Sequence, residues 1–406
     1  MIRSREGVRG MTARALRVAG RRVALAGLVA SCALAASCSL LPLGPWSAAP
    51  PEPIAVYIPP SGPVADPTLA IDSKGTLYAA WWGRGFGEIF VSKSGNRGRT
   101  WSEPLNVSNT PLGSDFPVLA VGPRDRLYLV WEDFSIIPVV GEIVVSISDD
   151  GGATWTPYRN LSQTKPSSSR PSVVVNGQGV VSIVWLEEQG QITFTRSTDG
   201  GTTWSVPKDI APGSTANRTR APALVETPDG TLWVAWAMSN GLGYIAASRD
   251  GGATWAEPAV LSGGERVVSP MLAVARDGGL YAAWSASTGL YSDIVFSRLS
   301  VADGIVMAMT APVNISRSPD IPSIDPAMAV TATGDLICAW HEVISGDTEI
   351  FVARSSDGGM TFTVPIDVSR TPGNSLAPRV VVDRDGRGYV LWEQGVKQGI
   401  FFARLP

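Results

Sequence analysis

Histidine occurs once in the 406 residues, at His341, and cysteine three times, at Cys32, Cys38 and Cys338. A single imidazole excludes His-rich zinc sites and leaves any Ser-His-Asp triad dependent on one residue. Past Cys38 only Cys338 remains, so an internal disulfide framework is excluded and packing must hold the fold. Charged residues are sparse, at 17%, and no helix of useful length or Gly-rich phosphate loop is visible. No cofactor and no metal are expected. Cys338, inside LICAW, takes an apolar strand position and reads as core.

What is abundant points the other way. The chain carries 43 Gly, 31 Pro and 14 Trp, more turn formers and indoles than a helical protein normally holds. At its start, Arg-rich residues through Arg21 and Arg22 precede the apolar run VALAGLVAS and Cys32, and a second stretch, ALAAS, precedes Cys38. This resembles a bacterial lipoprotein signal, in which the Cys after a small-residue box is lipidated. The box before Cys32 fits slightly better, whereas a cut at Cys38 leaves a more usual tether. The expected division is a signal segment over 1–37, a Pro/Ala/Ser-rich tether over 38–52 and one domain over 53–406. Membrane association is then through a lipid anchor only, at the cell surface or in the periplasm, with plain secretion as the alternative. The signal segment holds seven Arg and one Glu, so its removal takes the formal net charge from -3 to -9. An acidic mature chain argues against a nucleic-acid partner. A monomer is expected.

Repeats organise the rest. PTLAIDSKGTLYAAW (67–81) is followed by six relatives: PVLAVGPRDRLYLVW, PSVVVNGQGVVSIVW, PALVETPDGTLWVAW, PMLAVARDGGLYAAW, PAMAVTATGDLICAW and PRVVVDRDGRGYVLW. Successive Trp residues lie 50, 54, 51, 48, 56 and 52 apart. Each copy reads as two strands joined by a tight turn. A third strand opens on a polar residue and Ile, as in GEIFVSKS and TEIFVARS, and a fourth follows, as in VNISRSP. Four short antiparallel strands per unit of this length is the sequence form of a propeller blade. The last unit stops after its third strand, while PIAVYIPPSGP (53–63) looks like a fourth strand without partners. The expectation is an all-β, seven-bladed β-propeller closed by its N-terminal strand.

Between third and fourth strands lie SGNRGRTW, SDDGGATW, STDGGTTW, SRDGGATW and SSDGGMTF, centred on Asn96, Asp150, Asp199, Asp250 and Asp357. These resemble the Asp box, Ser-x-Asp-x-Gly-x-Thr-Trp, of sialidases and other bacterial neuraminidase-repeat proteins, over residues 64–406. The Asp accepts backbone N–H groups, Gly takes positive φ and Trp packs the turn against its blade, a structural fastener. Calcium at DDGG or at DRDG (383–386) would need more oxygens than these turns supply.

The resemblance implies either a six-bladed sialidase fold or the seven blades counted here. It also implies three Arg for a sugar carboxylate, a Tyr nucleophile with a Glu, and an Asp acid/base. Ala65 stands at the first Arg position; Ala221 and Ala237 stand where a middle blade carries Glu and Arg. Arg220 precedes a Pro correctly but in unit four. YSDI (291–294) resembles the stretch around the catalytic Tyr, which makes Tyr291 a nucleophile candidate, although Asp or Glu before Ile opens third strands generally. Glu88 is the substitute for a missing first-blade acid.

Acidic residues follow the repeated Trp in several units: Glu132 and Asp133, Glu187 and Glu188, His341 and Glu342, and Glu393. They are placed in loops between second and third strands, on one face with Asp115, Arg170, Arg220 and Asp325. Such a face could bind a glycan or an extracellular protein, and paired carboxylates such as Glu132 with Glu187 or Glu342 are what glycosidases need. The expected function is an envelope-anchored recognition module without sialidase turnover; a glycoside hydrolase and an assembly scaffold are the alternatives.

Overall fold

A computed structural model describes residues 51–83, 87–137, 140–163, 167–210, 221–261, 263–287, 291–302, 305–318, 320–344, 346–395 and 399–405. The described residues fall in one compact unit. Seven antiparallel sheets follow one another along the chain, and six are built in sequence order from inner to outer strand. The inner strands are Val64–Ile71, Ser114–Val121, Ser168–Val175, Ala223–Glu226, Arg266–Val274, Ser323–Val330 and Ser375–Val382. Each packs beside the next, and the last packs beside the first, which closes a ring of seven blades. In the seventh sheet the outer strand is Ile54–Tyr57, paired with Gly399–Arg404 from the other end of the chain.

The core lies between blades. Second strands such as Leu127–Ile137 and Leu336–Ile344 carry the repeated Trp residues, all fully buried, and their aliphatic neighbours interlock with the adjoining sheet. Alternation explains the sequence pattern, because both faces of a blade are covered and near-continuous apolar runs result. Cys338 is buried among these residues, and burial pushes its thiol up. In four blades the polar residue that opens the third strand, Glu88, Glu142, Asp293 or Glu349, serves a clasp to the fourth-strand segment. In the same four blades the Ile N–H donates to a Ser hydroxyl two residues beyond the fourth strand, at 2.9 Å for Ile89 to Ser108 and for Ile143 to Ser162, 3.1 Å for Ile294 to Ser316 and 2.8 Å for Ile350 to Ser369. Ser162, Ser316 and Ser369 in turn donate to Glu142, Asp293 and Glu349.

The five Asp boxes repeat one network. Asp150 accepts from the Thr154 N–H at 2.9 Å, from the Thr154 hydroxyl at 2.5 Å and from Ser148 at 2.8 Å. Asp199, Asp250 and Asp357 repeat these contacts, and hydrogen bonds from Thr hold Asp199 and Asp250 down to about 2. Asn96 preserves the geometry by reversing one bond, its Nδ2 donating to the Thr100 hydroxyl at 2.8 Å. One expectation is corrected. The box aromatic does not pack on its own blade but crosses to the preceding one: Trp101 meets Phe402, Trp255 meets Phe194 and Phe362 meets Phe296, edge to face at 5.4, 5.4 and 5.2 Å. A ring at the end of a rigid turn reaches the neighbouring third strand, where apolar surface is otherwise uncovered. Blade five, which has no box, instead lengthens its third strand into Ser292–Ala302 and adds Ile305–Met309 beside it.

Candidate functional site

All but one of the acidic residues after the repeated Trp lie in strands, not in loops. Glu132, Asp133, Glu187, His341, Glu342 and Gln394 lie within the second strands and are buried; Glu393 is half-buried, and Glu188 alone lies beyond its strand, exposed. In blades two, three, six and seven the strand runs further than the hydrophobic pattern suggested because the position two after Trp returns to the face of the indole and accepts its N–H, while in blade five Trp284 Nε1 donates to Glu265 at 3.2 Å instead. Trp131 Nε1 donates to Asp133 at 3.1 Å, Trp185 to Glu187 at 2.7 Å, Trp340 to Glu342 at 2.7 Å and Trp392 to Gln394 at 3.1 Å. The same acceptors take a hydroxyl from the inner strand, Ser114, Ser168, Ser323 and Ser375 respectively. Glu187 and Glu342 therefore bind Trp to the inner strand in separate blades, and the groups acting most on Glu132 are Asp115, Arg170 and Asp66 instead. Blade one has Gly83 at this place, where a Cβ would strike Val64, and Trp81 Nε1 is buried without a hydrogen-bond partner.

In blades one, two and seven the residue one after Trp, which is Trp82, Glu132 and Glu393, meets the inner strands at the axis. Six inner strands are bulged at the residue before Pro, and Asp66, Phe116, Arg170, Ser269, Asp325 and Ala377 all have positive φ there, between 48° and 55°. A left-handed bulge on the innermost strand turns its side chain toward the neighbouring blades. The Asp66 N–H donates to Glu393 at 3.0 Å, the Asp66 carboxylate accepts from Trp82 at 2.8 Å, and Ser269 donates to Asp325 at 2.6 Å. The Arg170 guanidinium lies 4.0 Å from the centre of the Phe116 ring, and the Arg170 backbone N–H donates to the Glu132 carboxylate. Asp115 and Glu132 are direct partners across inner and second strands.

Electrostatics single out this cluster. Burial, then the Asp115 charge, push Glu132 up to about 8, against the pull of Arg170. Burial, then Asp66, raise Asp115 to about 6 and Glu393 to about 7, with Arg170 and Arg379 opposing. Glu132 is 4% exposed, and its Oε2 is buried without a hydrogen-bond partner. The axial mouth thus holds carboxyl groups in both protonation states near neutrality, able to donate and to accept hydrogen bonds. No group of metal-binding side chains occurs among the described residues.

Elsewhere the expected residues separate. Tyr291 is 46% exposed at the start of its third strand, while Asp293 of the same motif is taken by the Ser316 clasp. Glu88 accepts from Asn106, and Asp383 of DRDG accepts from Tyr389 at 2.8 Å and from its own turn. Arg220, Cys32 and Cys38 lie outside the described residues. A cavity of about 490 Å³ between the turns at Asn176, Thr227, Ala275 and Thr331 opens at the opposite end of the inner strands. Sequence reasoning missed Asp66, Phe116, Trp82 and Arg379. The available signal was that the residue before the repeated Pro varies from unit to unit while the Pro does not.

The family model for the BNR repeat-like domain matches residues 186–394, just over half of the chain. The chain belongs to this sialidase-like family of BNR repeat propellers. The anhydrosialidase of Macrobdella decora is 27% identical over 132 residues, which cover 30% of this chain and 17% of that protein. An ulvan lyase of polysaccharide lyase family PL25 superposes with a TM-score of 0.61 at 12% identity, covering 87% of this chain and 96% of its own. The intramolecular trans-sialidase of Ruminococcus gnavus gives 0.54 at 14% identity, covering 86% and 96%. At these identities the two structures establish the shared fold alone.

Proposed function

We propose that this BNR propeller is an envelope-anchored module that recognises a glycan at its axial mouth without sialidase turnover. The observation that carries this reading is the Asp115–Glu132 pair, buried to different degrees and adjoined by Arg170 on Phe116 and by Asp66 on Trp82. A few convergent polar groups beside aromatic surface are what a saccharide site requires. Relatives whose names denote action on sialic acids and on ulvan are consistent with a saccharide ligand. The anchor follows from the signal segment, with Cys38 or Cys32 as the lipidated residue. Binding to an array of glycans tests recognition directly: wild type retains a saccharide and Glu132→Gln with Asp115→Asn loses it, whereas equal retention by both would remove the mouth from the account. A fluorogenic sialoside assay on wild type and Tyr291→Phe checks the other half, with no turnover expected from either.

A second reading, glycoside hydrolysis, is favoured by one observation. A carboxyl at about 8 beside one at about 6 divides into acid and base at neutral pH. Against it, the two are neighbours across one strand pair and do not face each other over a cleft.

A further inference from the structure

We infer that the groove on the outer rim between blades three and four is a second binding site, separate from the axial mouth, that takes an acidic sugar through its carboxylate or sulfate group. The groove has a volume of about 610 Å³ and is lined by Arg196, Trp204, Val206 and Lys208 of blade three and by the blade-four Asp-box turn at 250–253. Phe194 and Arg196 are two residues apart on the third strand, and Lys208 is the register partner of Phe194 on the fourth. Alternation along the strands therefore puts both cations on the face that Phe194 turns to Trp255 of blade four. There the Arg196 guanidinium lies over Gly251, where a Cβ would overlap its Nη1, and Lys208 Nζ donates to the Ala253 carbonyl.

The other blades supply the comparison that marks Arg196. A cation holds the same place near the end of the third strand in five blades, as Lys93, Arg196, Arg298, Arg354 and Arg404. In the first four its backbone N–H donates to the same hydroxyl position, at Ser102, Ser205, Thr310 and Thr363. Lys93 Nζ donates to the Gly151 carbonyl at 2.7 Å, Arg298 lies 6.0 Å from the centre of the Tyr281 ring, Arg354 pairs with Asp335, and Arg404 is exposed. Arg196 is half-buried, its Nε is buried without a hydrogen-bond partner, and its guanidinium forms no ion pair among the described residues. Such a group keeps its charge after losing part of its water, so an anion entering the groove gains a charge-assisted contact without displacing a native partner. Asp250, the acid of the facing wall, is held by its own turn, where it accepts from Thr254 and Ser248. Trp204 and Val206, the latter 86% exposed, add apolar surface against which the C–H face of a sugar ring can lie.

Calorimetric titration of the full mature chain at neutral pH and low salt, with tetramers of galacturonate, of sulfated galactose and of unmodified galactose and with a glutamate tetrapeptide, tests this. An acidic saccharide is expected to bind, with affinity falling about tenfold in Arg196→Gln and in Lys208→Gln, the loss of one charge-assisted contact. The tighter of the two acidic saccharides identifies the group taken, carboxylate or sulfate. Lys93→Gln removes a cation that the Gly151 carbonyl already holds and should leave binding unchanged. Lys208 is exposed, so its variant gives the readout where Arg196→Gln melts early. Equal affinity in wild type and both groove variants, or equal affinity for the unmodified tetramer, overturns the site. Tighter binding of the tetrapeptide overturns the sugar and assigns the groove to an acidic protein partner. Loss of binding in Glu132→Gln instead moves the ligand to the axial mouth, which overturns the groove and leaves recognition at the mouth standing. Binding of neither acidic saccharide overturns the groove alone, since the mouth has its own test on the glycan array.

Discussion

Glu342 and Gln394 occupy the same place in blades six and seven, and each takes a Trp indole and an inner-strand serine. Nature's own exchange of carboxylate for amide at this position defines its role as an acceptor of hydrogen bonds. Glu342→Gln should therefore cost less than about 1 kcal/mol, whereas Glu342→Ala, which strands a buried indole N–H, should cost about 1–3 kcal/mol in chemical denaturation. Equal losses in the two variants would contradict an acceptor role. Glu132 differs in kind, since its carboxyl is held protonated near neutrality. Folding raises Glu132, Asp115 and Glu393, so the stability they contribute is complete below about pH 4 and is lost as pH rises through about 8. The Asp-box carboxylates act oppositely, since folding lowers them and their contribution is lost as pH falls through about 2. Melting temperature should thus decline from pH 5 to pH 8.5 in wild type and decline less in Glu132→Gln; parallel profiles would mean the proton is not held. The sequence displayed both kinds of acid after Trp but could not separate them. One residue of offset along a strand decides whether a side chain joins the indole or the axis.

The Asp box was legible as a turn whose Asp accepts backbone N–H groups, while the Ser and Thr hydroxyls that complete its network emerged only from the structure. Its direction was not legible, because a motif says nothing about which neighbouring sheet it faces. The second glycine of the box shows the consequence. A Cβ on Gly252 would overlap the Phe194 ring of the preceding blade, as one on Gly359 would overlap Phe296 and one on Gly98 would overlap Phe402. Gly252 has φ 90°, so substitution there meets both a left-handed backbone and an aromatic ring. Gly75, in the inner hairpin turn of blade one, has φ 86° and nothing near its missing Cβ. Gly75→Ala should cost about 1 kcal/mol, the backbone term alone, and Gly252→Ala about 2–4 kcal/mol. Similar values for both would show that the box turn is not pressed against the preceding blade.

At the scale of the ring, the count of seven and the mode of closure followed from the Trp period and from one unpaired strand at each end of the repeat array. A repeat with covered faces leaves a strong periodic signal, whereas the mouth is assembled from single residues of different units and leaves none. Closure joins Ile54–Tyr57 to Gly399–Arg404, with Ile54 opposite Phe402 and Ala55 opposite Phe401. Tyr57 also stacks on Trp81 at 5.4 Å, so the closing strand bridges blade seven to blade one across the seam. Contacts between the first and last residues of a domain close the longest loop, and they form only when the intervening blades are in place. Removing residues 1–58 should therefore expose the edge of Gly399–Arg404, lower the melting temperature by several degrees and promote association through the bared strand. Removing residues 1–52 should do neither, since the closing strand survives. Identical melting temperature and monodispersity for the two truncations would show that the ring holds without its clasp.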